Sequence, residues 1–442
     1  MDKTVAKIYN FSREIAYGVL DHQTVDEIKK RIMDIIITSY AARNSTPVRL
    51  IKDALLPRSS GSDSTVFFTP YKAAPEIAAF INGTMTRYHD YNDTYLSKEA
   101  LHPSDNIPPL VSMAESRGMA GKDLIASISV AYAVIAGLAD AVCIRDRGWD
   151  HVTYISISSA AGLSNLIGLD REQFENAISL SINNNISLRQ TRAGELSMWK
   201  GATAANACRN SLFSVLLAEK GFTGPSEIFS GEMGFFRQVS GEFDLSLDVN
   251  AVRRTMIKNY PVEYHSMSAA EVASDLRKEI KGKIQHIRID TFSVAHKIIV
   301  KDPEKLRPKT KETADHSLPY IVAYTLAYGD PDTESYSERY LNDNRILDLI
   351  DRTEIQVDRD FDRTYPGDLP VRITVETDSG KFSREMRYPK GHYMNPYSWD
   401  DLESKGISVM GESLYRSALA IIKDLENRKV SDLTEVISHD EA

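Results

Sequence analysis

With only two cysteines, Cys143 and Cys208, in 442 residues, the chain lacks the thiols for a disulfide framework, a cysteine-rich zinc site or an iron–sulfur cluster. It has no glycine-rich loop of the Walker or dinucleotide type and no serine in a nucleophile elbow. Phosphoryl transfer, hydride transfer and triad hydrolysis therefore lack their usual sequence support. An excess of basic residues is missing as well: 53 Lys and Arg stand against 62 Asp and Glu, a formal net charge of −9. Nucleic-acid binders release counterions with surplus Lys and Arg, so a general nucleic-acid role is excluded. Any anionic ligand must meet a local cluster of cations. The opening residues MDKTVAKIYNFSREIAYG read as an amphipathic helix without the charged start, apolar run and cleavage site of a signal peptide, so the expected location is cytoplasmic.

What is present is a chain with 42% apolar residues, long enough to bury a large core divided over two or three structural domains. The segment Leu124 to Ile144 has the length of a membrane span, but its small residues and Asp140 fit a helix packed among helices better, and no membrane partner is expected. Up to about Gly224 the texture is helical. PEIAAFINGTMTRYHD puts Ile77, Phe80, Ile81, Thr84 and Tyr88 on one face, with Arg87 and Asp90 at helical spacing near its end. Ser104, Asp105 and Asn106 are capping candidates before IPPLVSMAESRG, and Asp170 with Gln173 resembles a capping box. From about Asn259 strand-like runs appear at IQHIRIDTF and VRITVETDSGKFSREMRY, the second with Asp378-Ser379-Gly380 as a hairpin turn and the helix DHSLPYIVAYTLAYG between the two runs. Beyond Asn395-Pro396 the pattern is helical again. PRSSGSDST, Pro57 to Thr65, reads as a short loop, and no internal repeat is visible. The expected fold is mostly α with an α+β part: a large helical domain from residues 1–258 and 396–442, and a smaller α+β domain from residues 259–395.

Five polar clusters stand out. The first is HDYNDTYLSKEALHPSDN, with His89, Asp90, Asp93, Thr94 and His102; the second is RDRGWDHVTY, with Asp150 and His151. The third, SLRQTRAGELSMWKGATAANACRN, carries Arg192, Lys200 and Arg209, and the fourth, NYPVEYHSMSAAE, carries Glu263 and His265. The fifth joins His316 and Tyr320 of ADHSLPY to Lys390 and His392 of YPKGHYMNP. Histidines exchange protons near neutral pH, while Lys, Arg and amides hold carboxylates. The combination suits a cofactor-free proton transfer on a carboxylate substrate.

Blander readings exist for each cluster. Asp90 and Asp93 could cap backbone amides, Lys200 beside Trp199 could be a surface lysine, and Arg209 could belong to a helix-surface ion pair. His89 with Asp90 and Asp93 could hold a metal, although their spacing matches no strong ligand motif. His286 and His296, inside strand-like runs, read as ordinary residues.

Taken in order, DYNDTY, HPSDNIPPL, RGWDHVTYISISSAAG, LRQTRAGELSMWKGATAANACRN, YPVEYHS, KETADHSLPYIVA and YPKGHYMNP resemble the 2-methylcitrate dehydratase family (MmgE/PrpD), which also holds cis-aconitate decarboxylase and iminodisuccinate epimerase. The stretches reach from about residue 10 to about residue 425. The resemblance implies a large all-helical domain, an α+β lid and a homodimer. It further implies an active site in the cleft between domain and lid, with Asp90, Thr94, His102, His151, Lys200 and His265 in it. At the last position Glu263 is an alternative, and the loop between Asp93 and His102 is longer than in the decarboxylase branch.

The segments around Lys200 and His316 look most like the 2-methylcitrate dehydratase branch, which implies elimination of water from a small tricarboxylate to give 2-methyl-cis-aconitate in propionate breakdown. In that reading Lys200 and Arg192 neutralise growing charge, and His102 is the acid/base group with His151 as its partner. Asp90 orients an imidazole, while Thr94, Arg209, Tyr320 and Lys390 join Arg192 as substrate contacts. No cofactor or metal is expected. The rival readings are decarboxylation of cis-aconitate to itaconate, a dicarboxylate epimerase, and a non-catalytic carboxylate-binding protein; loss of Lys200 and His102 would have favoured the last.

Overall fold

The computed structural model describes residues 2–59 and 63–438. Its helices gather into one large apolar core drawn from both ends of the chain, from Val5 through Ile257 and again from Tyr397 through Ile437. A second apolar core joins Leu96 of the first half to residues from Met256 to Val375. The expected fold class, mostly helical with an α+β part, is what the chain forms.

The helix Pro75–Tyr88 lies at the centre of the larger core. It packs along Trp199–Glu219 and also against His22–Ala42 and Ile107–Ser116. A one-sided helix was expected; instead, every residue from Ala78 to Tyr88 is buried because neighbours cover each face. Gly83 makes this possible, since a Cβ there would stand 2.9 Å from the Ala205 Cβ. The apolar helix Gly121–Ala141 has the length and composition to cross a membrane, yet 89% of its apolar window is buried here, against Val152–Leu166 and other helices.

The N-terminal helix Lys3–Glu14 is capped by Asp2, and Asp170 with Gln173 forms the expected capping box ahead of Arg171–Asn184. The expected cap before Ile107–Ser116 is not made. Ser104, Asp105 and Asn106 instead form a 3-10 turn, and their side chains serve other partners: Asn92 Nδ2 donates to Ser104 Oγ at 3.0 Å and Asp105 Oδ1 at 2.9 Å, while Asn106 Oδ1 accepts from Ser158 Oγ. Of the expected loop from Pro57 to Thr65, Leu56–Arg58 is a 3-10 turn, and β1 (Ser64–Thr65) pairs with β2 (Lys72–Ala73). The remainder includes residues 60–62, which lie outside the described residues.

The α+β part is built on a four-stranded sheet of β3 (Ile284–Thr291), β4 (Thr353–Val357), β5 (Val371–Thr377) and β6 (Gly380–Met386), in the order β4-β3-β5-β6. β3 pairs with β4 in parallel and with β5 antiparallel; β5 and β6 form the expected hairpin, closing from Thr377 to Gly380 across Asp378 and Ser379. Met267–Glu279 covers β5 and β6, and Leu318–Tyr328 packs on it in turn. Ile287 and Ile289 of β3 point into the resulting core, and His286 and Arg288 face outward.

Candidate active site

The helix Pro75–Tyr88 stops at His89, and Asp90 follows with φ +51°. Aspartate tolerates this left-handed backbone better than most residues. The turn brings the Asp90 carboxylate back under Arg87, whose Nη1 donates to Oδ1 at 2.6 Å. Lys258 Nζ donates to the same oxygen at 2.6 Å, and to the Asp90 carbonyl at 2.7 Å. Lys258 reaches this position because Thr94 and Met256 exchange both backbone hydrogen bonds two residues earlier. The other carboxylate oxygen accepts from Lys200 Nζ at 3.3 Å. Gly201 lets the start of helix Trp199–Glu219 approach Tyr88, whose ring would stand 3.1 Å from a Cβ there, and so sets Lys200 beside Asp90.

Lys200 is fully buried and also donates to both oxygens of Asp315 at 3.3 Å. Burial pulls its ammonium down to about 8, while Asp315 and Asp90 work to hold it up. Burial would raise Asp90, yet Arg87, Lys200 and Lys258 hold its carboxyl well below the usual carboxylate range. The result is a dry node of alternating charge, closed on one side by His316. That imidazole has Nδ1 2.5 Å from Asp315 Oδ1 and Nε2 3.4 Å from Asp90 Oδ2, and burial and Lys200 push it down to about 4.

Two imidazoles face each other beside this node, with ring centroids 5.7 Å apart. Arg87 Nη2 donates to His102 Nε2 at 2.8 Å, and a guanidinium can only donate. The proton of His102 is therefore on Nδ1, which donates to the Asp93 carbonyl at 2.8 Å. Burial, Arg87 and Lys258 hold His102 neutral, well below its ordinary pKa. His151 is arranged differently. Its Nδ1 lies 3.1 Å from Asp150 Oδ1, while its Nε2 is buried without a hydrogen-bond partner. Burial keeps this ring neutral too, although Asp150 works the other way. Arg192 Nε approaches Asp150 Oδ2 to 2.8 Å; against the effect of burial, Arg192 and His151 hold that carboxyl at about 2. Segments 148–150 and 187–189 run side by side, joined by Asp150 N to Ser187 O and Arg189 N to Gly148 O, and this brings both arginines to His151.

These groups line a small pocket of about 50 Å³ between the two cores. The helical part contributes Arg87, Asp90, Thr94, His102, His151 and Arg192, joined by Arg145 and Arg189. From the α+β part come Glu263, His265, Ile298 and His316. His265 Nδ1 donates to Glu263 Oε1 at 2.7 Å, and its Nε2 and the Tyr365 hydroxyl share a hydrogen bond at 3.1 Å. Burial raises the Glu263 carboxyl, but His265 outweighs it and holds the group at about 2. Larger grooves of about 520 Å³ beside Arg277 and about 650 Å³ beside Asn259 gather no histidines. A neutral imidazole with a free buried nitrogen, facing unsatisfied guanidinium groups such as Arg192 Nη2, can take a proton from a carbon whose carboxylate the arginines hold.

Of the expected site residues, Asp90, Thr94, His102, His151, Arg192 and His265 border this pocket, and Lys200 sits directly behind Asp90. Three do not come near it. Arg209 lines an apolar groove with Phe80 and Trp199, because its position on helix Trp199–Glu219 turns it to the outer side. Tyr320 is buried in the α+β core and donates to the Ser335 carbonyl at 2.7 Å. Lys390 pairs with Asp401 at 2.7 Å. His89, one residue before Asp90, faces the protein interior, and Asp93 is tied to Ser104 N and the Tyr132 hydroxyl rather than to the pocket.

Sequence reasoning saw Arg87 only as a helical neighbour of Asp90, without a site role, and passed over Arg145, Arg189, Lys258 and Asp315. Two signals were available: the Arg87-to-Asp90 spacing, and the repeated Asp-His dipeptides Asp150-His151 and Asp315-His316, each of which sets a carboxylate against imidazole Nδ1. Asp90, Asp315 and His316 form the one group among the described residues with metal-ligand spacing. The Lys200 ammonium already sits between its two carboxylates, so an ion there would have to displace a lysine.

The family descriptions MmgE/PrpD N-terminal domain and MmgE/PrpD C-terminal domain match residues 6–248 and 260–428. A protein of Yarrowia lipolytica named 2-methylcitrate dehydratase, mitochondrial, is 30% identical over 356 residues, covering 73% of this chain and 68% of the relative. The 2-methylcitrate dehydratase of Escherichia coli K12 is 30% identical over 353 residues, 73% of this chain and 72% of its own length. A fungal alkylcitrate dehydratase is 26% identical over 443 residues, 91% of this chain and 86% of the relative.

Proposed function

Because the chain belongs to the MmgE/PrpD family, we propose that it is a hydro-lyase that removes water from 2-methylcitrate to give 2-methyl-cis-aconitate, with citrate as a poorer substrate. The observation that carries this reading is the buried, unpartnered Nε2 of His151 in an arginine-lined pocket. The relatives' names support the substrate class.

In this reaction the proton leaves the methyl-bearing carbon beside a carboxylate, hydroxide leaves the neighbouring carbinol carbon, and a double bond forms between the two. His151 takes the proton on Nε2, held in orientation by Asp150 at 3.1 Å. Charge then grows on the carboxylate of that carbon, where Arg192 and Arg189 stabilise it. His102 delivers a proton to the departing hydroxide. In the free protein its Nε2 is occupied by Arg87; three substrate carboxylates offset that guanidinium and Lys258, which lets the ring hold a second proton. After turnover solvent returns the proton from His151 to His102. The expected leading role of His102 thus passes in part to His151.

Asp90 and Lys200 act one layer back. Together with Lys258 they fix Arg87, and through it the His102 ring. A space of about 50 Å³ is far below the roughly 300 Å³ at which ligand pockets start. Substrate entry therefore requires the α+β part to swing away as a lid and close again over the ligand, which excludes water from the charged site. Incubation of the purified protein with 2-methylcitrate, citrate, cis-aconitate and iminodisuccinate, with products identified by mass, tests the reading. The expected result is loss of 18 mass units from 2-methylcitrate, on the order of one water. Release of carbon dioxide from cis-aconitate in place of dehydration would transfer the chain to the decarboxylase reading.

A further inference from the structure

Glu99 lies on the pocket wall, only 1% exposed, and the reaction above gives it no task. A carboxylate is costly to bury unless its oxygens are bonded, and the partners of this one lie in a single place. Oε2 accepts from the backbone N–H of Ile144 at 3.0 Å, from that of Arg145 at 2.9 Å and from the Cys143 thiol at 3.4 Å. Oε1 stands 3.5 Å from Arg145 Nη1. The Glu99 N–H donates to the Ala139 carbonyl at 3.2 Å, and the Tyr95 hydroxyl donates to Asp140 at 2.7 Å. The segment between Thr94 and His102 is thereby fastened to the end of the helix Gly121–Ala141 and to the 3-10 turn Arg145–Arg147 beyond it, with Glu99 gripping the turn where Arg145 leaves the backbone.

Arg145 is unlike two of its neighbours on the pocket wall. Arg87 makes short bonds to Asp90 and His102, at 2.6 and 2.8 Å, and Arg192 lies 2.8 Å from Asp150. The contacts of Arg145 with Glu99 and with the Lys98 carbonyl are long, at 3.5 and 3.4 Å, so its fork can still take a carboxylate at close range. It also faces another quarter of the pocket. Arg192 and Arg189 gather at Asp150 and His151, whereas Arg145 reaches the α+β part. There burial pushes the Tyr365 hydroxyl up and Arg145 works against it, and that hydroxyl meets His265. The next residue, Asp146, pairs with Lys297 of the helix Ser293–Ile299 at 3.0 Å, so the turn stands at the seam between the two parts.

Resting on the dehydratase reading above, we infer that Arg145 holds a substrate carboxylate other than the one on the proton-losing carbon, and that Glu99 is the positioning residue that aims Arg145 at it. A carboxylate remote from the forming double bond carries the same charge before and during the reaction. Arg145 therefore contributes binding that is equal in ground and transition state, and its loss appears in KM. Arg192 and Arg189, at the carboxylate where charge grows, contribute to kcat instead. Glu99 touches no substrate in this arrangement and acts only through the turn and the guanidinium.

The test measures kcat and KM for 2-methylcitrate in the parent, Arg145→Gln, Arg145→Lys, Glu99→Gln and the double variant Glu99→Gln/Arg145→Gln, after thermal melting confirms folding. Calorimetric titration with propane-1,2,3-tricarboxylate, which has no hydroxyl to lose, accompanies it. Arg145→Gln should raise KM by about tenfold to a hundredfold while kcat falls far less, and Arg145→Lys should recover part of the binding. Glu99→Gln keeps an oxygen for the two backbone N–H groups but removes the charge facing the guanidinium, so KM should rise in the same direction by less. The double variant should bind no worse than Arg145→Gln alone, a non-additivity that general damage to the fold would not produce. If Glu99→Gln fails to fold, Glu99→Asp, which keeps the charge and shortens its reach, takes its place in the cycle. A parental KM in Arg145→Gln would overturn the carboxylate contact, and single effects that multiply in the double variant would overturn the positioning role; both leave the dehydratase reading standing. A parent without turnover on 2-methylcitrate would overturn that reading, and the titration then decides Arg145 by itself: tighter binding by the parent than by Arg145→Gln supports the contact, and equal affinities overturn it.

Discussion

Replacing Asp90 by Asn keeps the shape of the side chain and a residue type that accepts φ +51°, but removes the charge facing Arg87, Lys200 and Lys258. All four groups are almost wholly buried. The variant leaves Lys200 with Asp315 and takes from Arg87 and Lys258 the carboxylate they bond, and removing one partner of a buried ion network costs about 3–5 kcal/mol. At about 2.1 cal/mol/K per residue, 442 residues carry an unfolding entropy near 0.9 kcal/mol/K, so the melting temperature should fall by roughly 3–5 °C. Scanning calorimetry at pH 7 measures this. The sign with pH is also fixed. In the parent, Lys200 titrates at about 8 folded against 10.5 unfolded, so the unfolded chain binds more protons between those values and stability rises with pH above about 8. Without Asp90, which helps to hold that ammonium charged, the rise begins at lower pH. Adding Lys200→Met should restore part of the loss, with a coupling of about 0.5–3 kcal/mol. An Asp90→Asn protein that melts within a degree of the parent, with no coupling to Lys200→Met, would show that this carboxylate does not hold the cations.

Two further outcomes follow from the same geometry. His151→Gln and His102→Gln should each lower kcat by roughly 10²–10⁴ while melting within a few degrees of the parent, and near-parental turnover in either would remove that ring from the chemistry. On acidification, His316 and His392 titrate at about 4 and His89 at about 3 in the folded chain, all depressed first by burial, against about 6.5 unfolded. The unfolded chain therefore takes up protons that the folded one refuses, and stability falls as pH drops below about 6.5, by roughly 2 kcal/mol per histidine at pH 5. Asp105, raised by burial to about 7, works in the opposite sense and offsets part of this. Urea midpoints at pH 7 and pH 5 measure the sum; a midpoint that holds steady or rises at pH 5 would refute the dominance of the buried imidazoles.

The helical part, three of the sheet's four strands and the capping box at Asp170 were legible because periodicity, turn residues and cap spacing are local properties; the short edge strand Thr353–Val357 was not read from the sequence. The cluster from Asp90 to His102 was legible because so many polar groups in one short stretch have no core to fill. Long-range placement was not. Lys200 was read as a group that works on substrate charge, but its burial between Asp90 and Asp315 depends on Gly201 meeting Tyr88, a contact over more than a hundred residues. Arg209, Tyr320 and Lys390 sit in polar-looking stretches close to site residues, yet helix phase and strand exit direction turn them elsewhere. Arg87 was visible only as a helical neighbour of Asp90; that it would also fix the tautomer of His102 needed the loop to fold back.

The larger core has a consequence for the order in which the chain acquires its structure during synthesis. Its apolar residues run to Ile257 and resume only at Tyr397, and the returning helices supply Leu402, Leu414, Tyr415, Ala418, Leu425 and Leu433. About 140 residues separate the two contributions, and at roughly 5–20 residues per second a ribosome needs on the order of ten seconds to cross them. Throughout that interval the nascent first half carries an uncovered apolar face along helices His22–Ala42 and Gly121–Ala141. The sheet with its covering helices, whose core draws mostly on residues from Met256 to Val375, can close before the part that precedes it is complete. Assembly is therefore inverted relative to chain order, and the unfinished half is the species that a chaperone would meet.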